Sequence, residues 1–119
     1  MAGSVRLVTR ASAVHVRTAR LVAVTIARRA GFDEDVVESV RQGVGEACAM
    51  VVHSAEPGDH LELVIRDAPR DLDVLVHPAP RGWSDGAGDL AAAVLAGLTD
   101  ELDLTTTSAG EALRLHWRA

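Results

Sequence analysis

Tyrosine and lysine are absent from this sequence, and its 119 residues hold one cysteine, one phenylalanine and two tryptophans. The single cysteine, Cys48, excludes an internal disulfide and makes a reducing cytoplasm the expected location. With aromatic residues this scarce and 48% of the chain hydrophobic, the core must be built from Val, Leu and Ala. The length suits one domain, residues 1–119, around a single core. No apolar run approaches the roughly 20 residues needed to cross a bilayer, and the N-terminus lacks the long apolar stretch of a signal peptide, so no membrane partner is expected. Positive charge is short as well: the twelve basic residues, all arginine, face seventeen acidic ones, for a net charge of -5. That balance argues against a sequence-independent nucleic-acid binder, which works by neutralising phosphates. The five histidines are scattered singly, with no HExxH or Cys/His spacing, so no metal site is expected.

What is present divides cleanly at its glycines and prolines. SVRLVTRA alternates like a short strand. From about Val14 to Ala30 the apolar stripe His15, Ala19, Val22, Ile26 and Ala30 follows helical spacing, Arg17, Arg20 and Arg28 share the opposite side, and Gly31 closes the segment. A second helix starts after Asp33, a plausible N-cap, with Glu34 and Asp35 where the helix dipole favours acids. Its buried seam is Val37, Val40, Val44, Ala47, Cys48 and Val51, and Ser39, Gly43, Glu46, Met50 and His53 form the adjoining stripe. Gly43 and Gly45 each cost a helix about 1 kcal/mol relative to alanine, so something must approach this helix closely.

After EPGD come two alternating strands, HLELVIRD and DLDVLVHP, joined by an APRD turn. APRGWSDGAGD is a loop, a third helix runs from Asp89 to about Glu101 with Leu90, Val94, Leu95 and Leu98 inward, and LDLTTTS and EALRLHWR pair around AG as a hairpin. The economical arrangement is an α+β two-layer sandwich, three helices on one face of a mostly antiparallel five-stranded sheet.

The order of elements, with VRQGVGEACAMVV in the second helix and LAGLTDELDLTTTSAGEALRLHW at the end, resembles the anti-sigma factor and serine-protein kinase family of the histidine-kinase-like (GHKL) ATPases. The resemblance implies that superfamily's α/β sandwich. It also implies a homodimeric protein for which a sigma factor and a STAS-domain anti-anti-sigma protein compete. Many members phosphorylate a serine of the STAS antagonist with Mg-ATP.

The departures lie at the nucleotide positions. The family's glutamate that polarises the attacking hydroxyl is matched by Glu46, but the asparagine that holds magnesium four residues later is Met50. A thioether is a soft, weak ligand and Mg²⁺ demands hard oxygen donors. The family's first glycine box, Asp-x-Gly-x-Gly, falls on VHPAPRG, where His77 takes the place of the aspartate that accepts the adenine amine, and Ala79 and Arg81 those of the glycines. SDGAGD offers a rival glycine pair, Gly86 and Gly88, and Gly88 is also a remnant of the second, phosphate-binding box at the start of the third helix. Each lost partner is worth roughly 1–3 kcal/mol, against about 8 kcal/mol for a micromolar site. Two or three losses therefore predict a degenerate pocket with little or no kinase activity, ATP and magnesium returning only if the pocket survives.

Other functions stay open. Glu46 is either a solvated helix carboxylate or a retained base, in which case Gly86 and Gly88 would serve the phosphates of an unconventional serine kinase. Alternatively the chain is a noncatalytic companion of an active homologue. Arg17, Arg20 and Arg28 form either a solvated face or a protein-docking surface. Trp117 is expected to pack against a helix, and Trp83, in its glycine-rich loop, is a candidate interface anchor.

Overall fold

Alternation builds the sheet. In GSVRLVTR every second side chain is half-buried, and in HLELVIRDA the inward set Leu61, Leu63, Ile65 and Asp67 is fully buried. These segments are β1 (Gly3–Arg10) and β2 (His60–Ala68) of a computed structural model that describes residues 3–83 and 89–119. With β3 (Asp71–His77), β4 (Glu101–Thr107) and β5 (Gly110–Arg118) they form a five-stranded sheet in the order β1-β2-β3-β5-β4. Every neighbouring pair is antiparallel, so the sheet expected to be mostly antiparallel is wholly so.

Helices α1 (Ala13–Arg29), α2 (Glu34–His53) and α3 (Asp89–Leu98) complete the expected α+β sandwich. The core between layers is aliphatic: the α2 seam from Val37 to Val51 is buried throughout and meets Leu63, Ile65, Val74, Val76, Leu113 and Leu115 of the sheet. Asp33 caps α2, its carboxylate accepting from the Val36 amide at 3.0 Å. Gly31, at φ +94°, turns the chain out of α1 into a conformation that costs a side chain energy.

The two glycines of α2 have the close neighbours their position in a helix demanded. A Cβ at Gly43 would lie 2.9 Å from Trp117 Cζ2, and one at Gly45 would lie 2.8 Å from Arg20 Cδ. Trp117 is buried, and its indole Nε1 donates to the Leu98 carbonyl at 2.6 Å, so one side chain packs on α2 and satisfies an orphan carbonyl at the end of α3.

That contact corrects the third helix. It stops at Leu98 rather than near Glu101, because Asp100 donates its amide to His116 O at 2.9 Å and Glu101 is already the first residue of β4, opposite His116. Its inward set is also smaller than the expected Leu90, Val94, Leu95 and Leu98: Leu95 is fully buried and Leu98 half-buried, whereas Leu90 is 83% and Val94 45% exposed. Helical spacing marks apolar residues correctly, but a short helix at the margin of the layer has a neighbour on one side only.

Away from the helices the sheet carries charge. Arg114 reaches Asp73 at 2.7 Å, Glu101 at 3.1 Å and Asp103 at 3.3 Å, and Arg118, beyond His116 on the same face of β5, also binds Glu101. His116 Nε2 lies 3.0 Å from Asp71. The Arg118 and Arg114 guanidiniums hold the Glu101 carboxyl down to about 2, well below its ordinary 4.5.

Candidate functional site

The C-terminal end of α2, the start of β2 and the exit of β3 meet around a cleft of about 490 Å³. Val51, Ser54 and Ala55 form the helical wall, Asp59, His60 and Glu62 the β2 wall, and His77, Pro78, Ala79 and Arg81 the wall after β3. Its lining mixes apolar residues with two carboxylates, two histidines and an arginine, a composition a small-molecule pocket can have.

The exit of β3 is fastened down. The His77–Pro78 peptide is cis. His77 Nε2 lies 2.8 Å from the Ala109 carbonyl, which can only accept, so Nε2 is the protonated nitrogen. The Ala79 amide donates to Glu111 O at 2.9 Å. Both bonds tie the segment to the β4–β5 hairpin. Arg81 spans the opposite way, to Glu56 at 3.7 Å and Asp59 at 3.9 Å in the loop between α2 and β2. Each of these ion pairs is exposed and individually weak.

The residues singled out from sequence divide between this cleft and its surroundings. His77 and Ala79 line it. Glu46 and Met50 do not belong to its described lining. The Glu46 side chain is exposed, and among the described residues no hydrogen bond or ion pair reaches its carboxylate. Met50 is half-buried against the core, its carbonyl accepting from the Ser54 amide and hydroxyl. Gly86 and Gly88 lie outside the described residues.

The three α1 arginines read from the sequence as one face, Arg17, Arg20 and Arg28, do not act alike. Arg28 pairs with Glu34 at 2.8 Å, and Arg20 lays its aliphatic stem over Gly45 while its head stays exposed. Arg17 is exposed. Two of the three thus help to join α1 to α2. Trp83, the candidate interface anchor, is half-buried and packs against the core. Sequence spacing could not show this, because the contact is made across the fold rather than along one element.

A magnesium-bound triphosphate needs oxygen ligands for the metal and free N–H donors or cations for the phosphates. Position 50 offers a thioether, the Ala79 amide is committed to Glu111 O, and Arg81 stands between two carboxylates. Glu62, on the β2 wall, adds a carboxylate that is already paired with Arg6 at 2.6 Å. The described donor set does not fit that ligand. Asp59, Glu62 and Arg81 acquire a place in the site only through tertiary proximity; the one sequence signal was Arg81 standing where a glycine was expected.

Cys48, beneath the α1–α2 seam, is a buried structural thiol, pushed up to about 12 by burial in spite of the Arg20 charge nearby. No helix among the described residues is long and apolar enough to cross a membrane.

A family model described as the histidine kinase-like ATPase domain matches residues 9–117, from the end of β1 almost to the end of β5. No curated protein matches the chain.

Proposed function

This chain belongs to the histidine kinase-like ATPase domain family, and from that premise we propose that it is an anti-sigma-factor-like regulator that works by binding rather than by phosphoryl transfer. Its partners are a sigma factor and a STAS-domain antagonist that compete for it, and its working form is a homodimer in the cytoplasm. Nucleotide binding is weak or lost.

One observation carries the loss of catalysis. Met50 stands one helical turn after Glu46, where the resemblance puts the metal ligand, and its thioether packs against the core. Mg²⁺ gains nothing from such a group, and desolvating the ion without replacement oxygens is costly. The committed Ala79 amide and the tethered His77 ring, which line the cleft, support the same conclusion. If ATP does not drive partner exchange, the exchange rests on relative affinities and concentrations.

Glu46 keeps the kinase alternative in play, because its carboxylate is exposed and unpaired among the described residues. Isothermal titration with Mg-ATP separates the two. The regulator reading expects millimolar affinity or no measurable heat. Micromolar binding, with phosphate transfer to a STAS protein abolished by Glu46→Ala, would establish the kinase instead. Binding partners are tested by pull-down from the native cytoplasm, where recovery of neither a sigma factor nor a STAS-domain protein defeats the proposal.

A further inference from the structure

The edge of the sheet at β1 is unguarded. β1 is the first strand in the sheet order, so β2 covers one of its sides and no described strand covers the other. Natural edges are ordinarily kept from pairing by shortness, a proline or a bulge. β1 has none of these: its eight residues run in unbroken register with β2, from Gly3 opposite Asp67 to Arg10 opposite His60. Among the described residues, the one backbone bond to β1 from outside β2 runs from the Ser12 amide to the Arg10 carbonyl.

The two side-chain rows of β1 are unfinished in different ways. On the helix side, Val5 and Leu7 pack against the core yet stay only partly buried. On the other face Arg6 and Arg10 are exposed, with Val8 between them 47% exposed. The surroundings are basic. Arg66 is exposed on β2 opposite Ser4, and Arg29, at the end of α1, comes within 3.6 Å of where a Cβ on Gly3 would lie. Glu62 occupies Arg6 through its Nε and Nη2, and Asp67 pairs with Arg29. Asp73, opposite Arg66 on β3, is held by Arg114 at 2.7 Å. Four arginines against Glu62 and Asp67 leave a surplus of positive charge at this margin of a chain whose net charge is -5.

We propose that the open edge of β1 is a docking site for an extended, acidic segment of a partner protein, which joins the sheet as an added strand. In that position main-chain hydrogen bonds supply affinity and alternate side chains supply selectivity. Carboxylates on the outer face of the added strand stand beside Arg6 and Arg10, and aliphatic side chains on its inner face extend the cover over Val5 and Leu7. The segment therefore alternates acidic with aliphatic residues. Charge disfavours a second copy of this chain as the occupant, because two β1 edges paired about a twofold axis would set Arg6 and Arg10 against their own kind. The opposite edge differs: Glu101 and Asp103 of β4 are already held by Arg114.

The inference goes beyond the proposed function and stands or falls independently of the sigma-factor and STAS partners. Fluorescence anisotropy of a labelled peptide EVELEVE with the full chain tests it, far-UV circular dichroism confirming that each variant is folded. Saturable binding that weakens as salt rises is expected. Arg10→Glu and Arg66→Glu should each weaken it by at least about tenfold, whereas Arg41→Glu, the same charge change on α2, should leave it within about twofold. The peptide KVKLKVK should not bind. Of two EVELEVE peptides N-methylated at alternate residues, only the one whose blocked amides face β1 should fail. Absence of saturable binding, or binding that survives both methylation patterns, overturns the proposal. So does a fall in the sedimenting mass of the peptide-free chain on Arg10→Glu, which would mean that a second copy fills the edge.

Discussion

Replacing Gly43 by alanine sets two opposite expectations against each other. Helix propensity alone favours the change by about 1 kcal/mol. The new methyl, however, would stand 2.9 Å from Trp117 Cζ2, 3.3 Å from Cη2 and 3.6 Å from Leu115 Cδ2. The indole cannot swing aside freely, because it is buried and its Nε1 is bonded to Leu98 O at 2.6 Å. Overpacking costs about 1–3 kcal/mol, and pulling the indole away from Leu98 forfeits a further 0.5–1.5 kcal/mol or so. The sum, after the propensity gain, is a net destabilisation of about 2 kcal/mol. Urea unfolding followed by circular dichroism should show the loss as a lower midpoint at unchanged slope. Thermal unfolding should fall by roughly 8 °C, at about 4 °C per kcal/mol. A variant as stable as the parent, or more so, would mean that Trp117 does not lock α2 to the end of α3.

The remaining glycines of the helices give the contrast. Gly45→Ala meets the flexible stem of Arg20 and should change stability by less than about 1 kcal/mol. Gly97→Ala has open space and should stabilise the dilute monomer by up to about 1 kcal/mol, as measured by urea midpoint. Glu101 titrates near 2 in the fold and at 4.5 ordinarily, so its contribution is complete above pH 4.5 and disappears as the pH falls toward 2. The urea midpoints of the parent and Glu101→Gln should therefore converge over that range, and a difference independent of pH would contradict the assignment. The Cys48 thiol is pushed from its ordinary 9.0 up to about 12 by burial, so its contribution to stability is complete below pH 9 and is lost progressively as the pH rises from 9 toward 12. Its thiol should resist aromatic disulfide reagents at pH 8 until the chain is unfolded.

Much of the fold was legible before any coordinates, for a reason particular to each element. The α2 seam followed from spacing alone, since Val37, Val40, Val44, Ala47, Cys48 and Val51 recur at helical period and all six are buried. The capping carboxylate of Asp33 and the positive-φ Gly31 are local chemistry, settled within one turn of the chain. The glycines of α2 announced that something approached, but not that it would be Trp117 and Arg20, which are distant in sequence. The end of α3 was misplaced for the same reason, because its stop depends on contacts from β5.

The candidate site divides along the same line. Sequence by itself determined which residue types stand at the positions that the family resemblance marks, above all a thioether at position 50, because identity is a property of the chain. Only the tertiary structure decided that the His77 ring and the Ala79 amide are held by the β4–β5 hairpin and that Arg81 reaches back to Glu56 and Asp59. Periodicity reports a residue's face on its own element, whereas a bond across the fold depends on which other elements lie beside it.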